Sequence, residues 1–388
     1  MATLKNVDTS FQQAVESKKM PGIVAMAATD KGVLYEGAFG WRELGKPAPM
    51  TPDTVVWIAS MTKAITATAA MQLVERGKLV LERAASEVVP ELGAVKVLEG
   101  FDASGKPRLR APKRPITLRH LLTHTAGYGY EIWAPPIGQY QAATNTPGIT
   151  TCTNAALTTP LLFDPGDRWE YGINIDWVGK MVEAVSGQKL DRYLQENIFG
   201  PLGMKDTSFK LAPSQRARLA SVHQRSADGA LAPIAFGLPE EPEFHMGGGG
   251  LYGTAGDYLA FAQTIMQGGA SKGGQLLRRG TVDLMAQNHI GALEVGKLKS
   301  AMSGLSNDVE LFPGMSKKWG LSFLINMRDA PTGRAAGSLA WAGLANTYFW
   351  IDRTKRVCGV FLSQLFPFYD TTAIELLGTF EREVYRAL

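Results

Sequence analysis

The chain has 388 residues, 45% of them hydrophobic, so it can bury a large core, and its length suggests two domains or subdomains. Its net charge of +4 is dispersed without a basic block, which argues against nucleic acid or an anionic membrane surface as a partner. The two cysteines, Cys152 in a Thr-rich loop and Cys358 in an apolar strand-like run, lie far apart, so a disulfide framework is not expected and a reducing, cytoplasmic compartment fits.

Residues 1–19 read as an amphipathic helix carried by Val7, Phe11, Ala14 and Val15; with no apolar h-region no secretory signal is expected, and no stretch is long and apolar enough to cross a bilayer. Residues 22–29 and 32–40 are β-rich runs split by Asp30-Lys31, a hairpin signature. Residues 55–58 are short and β-branched, an extended entry into a helix over 61–74 that ends before Gly77. Residues 79–115 are charged and broken by Pro and Gly, with an excursion at 102–114. A short helix from Ile116 then runs into a turn at Gly127, and Tyr128, Tyr130 and Trp133 after it suggest a pocket wall. A turn at 163–167 leads through Trp169-Glu170-Tyr171-Gly172 to a helix over 175–185. The glycines at 247–250 allow close backbone approach ahead of a helix over 258–266, which Thr254 or Asp257 can cap. Four strand-like runs over 319–361 and a last helix over 371–388 complete the chain. Strands at both ends with helices between imply an α+β fold. Its antiparallel sheet would be formed by both chain ends, residues 1–84 and 305–388, with a mainly helical domain over 85–304 and the active site between them.

Chemistry is suggested by Ser60-Met61-Thr62-Lys63, a Ser-x-x-Lys pattern at the start of the helix over 61–74. At or near the N-cap, Ser60 faces the positive helix end, and Lys63 lies one turn on along the same face. A serine hydroxyl needs a neighbour to take its proton; a lysine does so only where burial or a nearby cation disfavours its charge, and this helix is apolar nearly all round. The pattern recurs at Ser186-Gly187-Gln188-Lys189, but there it ends a helix, where no positive pole exists. Gly269-Ala270-Ser271-Lys272-Gly273 fits a nucleophile-elbow pattern, yet it follows a helix among further glycines and reads as a surface loop. None of the five histidines sits in a context that marks a base, no His/Cys/Asp/Glu cluster has metal-ligand spacing, and the glycine run lacks the Lys-Ser/Thr of a phosphate loop. Neither metal nor cofactor is expected.

In this order the chain carries Ser60-Met61-Thr62-Lys63, Leu121-Leu122-Thr123-His124-Thr125, Pro165-Gly166 before Tyr171, Pro201-Leu202-Gly203-Met204, Gly248-Gly249-Gly250-Leu251 and Trp341-Ala342-Gly343. The ordered set resembles the serine β-lactamase and penicillin-binding-protein superfamily, and within it the family VIII carboxylesterases, which are similar to class C β-lactamases. The resemblance implies a β-lactamase/transpeptidase-like fold, Ser60 as acylated nucleophile, Lys63 as its proton acceptor and Tyr171 as the phenol that shuttles the proton. It also implies an oxyanion hole made by the N–H groups of Ser60 and Leu344, with Tyr128, Tyr130, Ile173, Trp341 and Gly343 around the substrate. Two positions depart from the β-lactamase pattern. Ile173 stands where those enzymes place Asn, and Trp341 replaces the lysine that would bind a substrate carboxylate. Both remove polar grip on a lactam, so the expectation is a serine carboxylesterase for short-chain acyl esters, with a small-molecule ester as its partner. The same Ser-Lys-Tyr set would serve a β-lactamase, a D-amino-acid peptidase or an acyltransferase.

Overall fold

The structure, a computed structural model, describes residues 4–388, so the first three residues of the expected N-terminal segment lie outside the described residues. Helix α1 (Lys5–Glu16) precedes the hairpin β1 (Gly22–Thr29) and β2 (Gly32–Gly40), whose bounds match the sequence pattern. Helix α2 (Thr62–Glu75) follows, then the short α3 (Leu118–Leu122), α4 (Asn174–Ser186) and α5 (Ala255–Met266). Strands β3 (Lys317–Trp319), β4 (Leu324–Asn326), β5 (Leu339–Gly343), β6 (Thr347–Asp352) and β7 (Val357–Leu362) lead to α6 (Thr371–Arg386). The strands form one seven-stranded sheet in the order β3-β4-β5-β6-β7-β1-β2, antiparallel throughout. The two chain ends meet where Ala25 of β1 pairs with Phe361 of β7.

Successive strand residues point to opposite faces, and here both faces are covered. In β6 the Phe349 ring lies 5.0 Å from Tyr258 of α5, while its neighbour Trp350 lies 5.4 Å from Phe380 of α6. Phe11 of α1 joins that second layer against Phe361 and Phe380. With two covered faces, β5, β6 and β7 are buried at every position and read as continuous apolar runs. The sequence pattern gives four strands in this region, but there are five. The edge strand β3 opens with Lys317 and Lys318, whose stems are buried while Lys318 Nζ reaches the Ala292 and Leu293 carbonyls. Two lysines hid a buried strand.

Helix α2 is apolar or threonine on nearly every side because it is enclosed, and it ends where Gly77 takes φ +70° and Lys78 N–H closes on Leu73 O. The expected excursion near residue 102 is a hairpin of Val97–Phe101 and Pro107–Arg110. Thr254 caps α5 by accepting the Asp257 N–H, whereas the Asp257 carboxylate holds Asp206 N–H and the Thr207 hydroxyl. No helix of the described residues is long and apolar enough to cross a membrane.

Candidate active site

The short strand Val56–Trp57 pairs with Tyr252–Gly253 and delivers the chain into a 3-10 turn, Ala59–Met61, that precedes α2. Ser60 therefore stands one residue outside the helix cap, Met61, and Ala59 before it is left-handed at φ +47°. Such a conformation costs a non-glycine residue roughly 1 to 3 kcal/mol, and surrounding bonds must hold it. Ile58 N–H donates to Leu251 O at 3.0 Å, and Trp57 N–H to Gln364 Oε1 at 3.1 Å. The end of β5 closes against the same turn. A Cβ at Gly343 would lie 2.4 Å from Ile58 O and 3.1 Å from Ala59 Cβ, so only glycine lets the strand approach this closely and bring Leu344 to the cavity it lines with Ser60.

Lys63 is fully buried. Its Nζ donates to Ser60 Oγ at 3.1 Å, to the Tyr130 hydroxyl at 3.0 Å and to Gly248 O at 2.6 Å, three acceptors for the three protons of an ammonium. The glycine run is what makes this possible. Its consecutive carbonyls are taken by Thr66 Oγ1 at Gly247, by Lys63 at Gly248 and by Trp57 Nε1 at Gly249, an approach that side chains would block. Tyr130, expected as a pocket wall, is thus also bonded to the lysine, and burial pushes its phenol well above the ordinary range.

Tyr171 lies against the other side of Lys63, with Nζ 4.8 Å from the ring centroid. Its hydroxyl accepts the Trp341 indole N–H at 3.0 Å. The tryptophan in place of the family's lysine therefore acts as a neutral donor behind Tyr171 and not as a wall of the substrate cavity. His124 packs beneath Tyr171 at a centroid distance of 4.9 Å, with Nδ1 2.9 Å from Asn174 Nδ2. Burial, with the Lys63 charge, pushes its imidazole pKa well down, so it is neutral. It buttresses the tyrosine, consistent with a structural histidine.

Ser60 opens into a cavity of about 120 Å³ walled by Trp57, Trp133, Ile149, Phe236, Leu344 and Phe366. Tyr130 and the half-buried Glu131, whose carboxyl pKa burial raises, also line it. Of the other residues expected at the substrate, Tyr128 is turned away and stacks on Trp177, and Ile173 is buried at the start of α4. Trp57, Phe236 and Phe366 went unmarked in the sequence because they lie in three distant segments with no shared motif. Asp176 also went unmarked, although an acid set in the apolar run Ile175, Trp177 and Val178 at the start of α4 is a readable signal. The competing serines stay outside. Ser186 ends α4 with Gly187 left-handed after it, and Ser271 lies in a two-residue-strand hairpin, donating to Gly274 O.

A family model described as Beta-lactamase matches residues 7–378. The chain is 36% identical to a monacolin J acid methylbutanoyltransferase of Aspergillus terreus over 98% of this chain and 95% of that protein. It is 34% identical to a lovastatin esterase of Penicillium rubens, with 98% of each chain covered. Among solved structures, unliganded simvastatin synthase (LovD) of Aspergillus terreus superposes with a TM-score of 0.86 at 34% identity, covering 99% of this chain and 98% of that one. With Ser60 bonded to a buried Lys63 that two tyrosines flank, and with that match spanning nearly its whole length, the chain belongs to the Beta-lactamase family of serine acyl-transferring enzymes.

Proposed function

We propose that the chain is a serine acyltransferase that takes an acyl group onto Ser60 and passes it to an alcohol, with hydrolysis as the competing fate. The observation that carries this is the cavity at Ser60, whose walls are almost wholly apolar and aromatic, with Trp57 and Phe236 in contact at 4.5 Å. Such a site favours an organic acceptor over water for attack on the acyl-enzyme. The likeness to a methylbutanoyltransferase supports the same order of readings. Ester hydrolysis, the reading favoured by the sequence, is kept second because a lovastatin esterase is nearly as similar.

In this reading Lys63 reacts as the free amine, one of its protons having passed to bulk water before the substrate binds, and the Ser60 O–H then donates along the same 3.1 Å line. As the O–H bond breaks, Oγ attacks the ester carbonyl, and the N–H groups of Ser60 and Leu344 receive the oxyanion. Tyr171, whose oxygen already accepts the Trp341 N–H, passes the proton from Lys63 to the departing alkoxide. Tyr130, kept neutral by burial, fixes the amine and forms part of the cavity wall. The acceptor alcohol repeats the sequence in reverse. Among the described residues, those that line the cavity at Ser60 include no Lys or Arg to hold a lactam's carboxylate, so nitrocefin should turn over more slowly than an ester.

The test is product analysis with p-nitrophenyl butyrate in the presence of a graded alcohol acceptor. Expected is a new butyrate ester that outgrows free butyric acid as acceptor is added. Free acid alone at every acceptor concentration would return the assignment to a hydrolase. Ser60→Ala should abolish both products, whereas Ser186→Ala and Ser271→Ala keep them.

A further inference from the structure

Asp176 lies in the first turn of α4, fully buried, five positions after Tyr171. Its Oδ1 accepts the Gly248 N–H at 2.8 Å, while Oδ2 has no hydrogen-bond partner among the described residues. The carbonyl of that same Gly248 accepts from Lys63 at 2.6 Å, the shortest of the three contacts to the amine. A Cβ at residue 248 would lie 2.5 Å from Oδ2, so the carboxylate rests directly against the glycine backbone. The titratable groups that face Asp176 are Lys63 from α2, Tyr130 from the segment after α3 and Cys152 from the Thr-rich loop. Those that face Lys63 are Tyr130, Tyr171 and His124. Burial keeps Tyr130, Cys152 and His124 neutral, so across this cluster the electrostatic pair is Lys63 and Asp176.

A carboxylate and an amine held at the N–H and the carbonyl of one glycine can cooperate in proton transfer. When Lys63 takes the Ser60 proton, an N–H bond forms as the O–H bond breaks, and a positive charge appears on a fully buried amine, where the loss of solvation makes it costly. We propose that Asp176 is a positioning residue for Lys63: by holding the Gly248 backbone it fixes the amine between Ser60 and Tyr130, and its negative charge stabilises the ammonium formed as Ser60 is activated. The inference rests on the reading of Ser60 and Lys63 as the acyl-transfer pair. Burial pushes the Asp176 carboxyl up to about 6, against the opposing pull of Lys63. A raised carboxyl is charged above that pH and neutral below it, so the stabilisation is present at neutral pH and lost as pH falls through about 6.

The experiment follows the rate at which a fluorophosphonate labels Ser60 between pH 5 and pH 8 in the full chain, for wild type and Asp176→Asn. The asparagine keeps an acceptor for the Gly248 N–H and removes the charge. Wild type should lose about tenfold in rate per pH unit below a midpoint near 6, as a single required ionisation dictates. Asp176→Asn should label about tenfold or more slowly at pH 8 and show no limb between pH 5 and pH 7. A variant that is less heat-stable but keeps the wild-type profile would overturn the proposal, since a merely structural carboxylate does not set the midpoint. If that variant fails to fold, Asp176→Glu, which keeps the charge and moves the carboxylate, decides: a limb shifted from its wild-type midpoint supports the role, and an unmoved limb with an unchanged rate at pH 8 refutes it. Failure to label Ser60 at any pH would remove the acyl-transfer reading and this inference together, whereas normal labelling with an unmoved asparagine profile removes this inference alone.

Discussion

Lys63 is touched by two tyrosines that differ in what they can give. Tyr130 shares a hydrogen bond with its Nζ at 3.0 Å, but burial holds that phenol neutral. Tyr171 offers its ring to the amine, and its oxygen is held by Trp341; in the proposed reaction its own proton is the one passed on. Tyr171→Phe is therefore expected to lower kcat about 10²- to 10⁴-fold, the range for a lost general acid–base group. Tyr130→Phe should cost less, roughly 10- to 100-fold, as expected for one hydrogen bond to a charged group. Steady-state kinetics of both variants on one ester decides the matter, and a larger loss in Tyr130→Phe would reassign the shuttle. The Ser60–Lys63 pairing was legible in the sequence because the two residues are three apart on one short stretch. The Tyr130 contact was not, because it spans 67 positions and depends on how the segment after α3 folds back.

At the level of elements, the site depends on the meeting of β5 with the turn before α2. Gly343→Ala places a methyl 2.3 Å from Thr347 Oγ1 and 2.4 Å from Ile58 O, backbone and strand atoms that cannot yield without moving the edge. In the proposed reaction, moving that edge withdraws the Leu344 N–H, so kcat should fall about 10²- to 10³-fold, the cost of one oxyanion donor. Thr254→Ala is the contrast. It removes the cap of α5 and should lower stability by about 1 kcal/mol while leaving kcat unchanged. Paired denaturant melts and kinetics separate the two effects; a Gly343→Ala protein with native kcat would show that the strand edge does not position the donor. These elements were readable from hydrophobic period and turn residues, as the hairpin β1–β2 illustrates. The strand β3 was not, because its lysines are buried by neighbours that local sequence does not reveal.

Across the whole molecule, the last helix locks onto the sheet through a buried ion pair. Arg334, in the loop before β5, donates to Glu381 of α6 through Nε at 2.9 Å and through its second nitrogen, and its guanidinium also lies 5.4 Å from the Trp350 ring centroid. Both partners are at most 5% exposed. Removing one partner strands the other charge, so Glu381→Gln should cost about 3 to 5 kcal/mol, read as a fall in Tm and in denaturation midpoint. Neither residue lines the cavity at Ser60, so the specific activity of the protein that remains folded should be unchanged.

By itself the sequence determined the order of elements, the hairpin and sheet-forming runs, the Ser60–Lys63 pair and the family, because each follows from local period or from motifs in a fixed order. Tertiary structure decided which groups surround Lys63: Gly248 is 185 positions away, Tyr130 is 67, and Asp176 reaches the amine only through the glycine backbone. It also decided that Trp341 serves Tyr171 and that Trp57, Phe236 and Phe366 wall the cavity. Those relations depend on packing between distant segments, and residue pattern along the chain carries no record of which side chains packing will bring together.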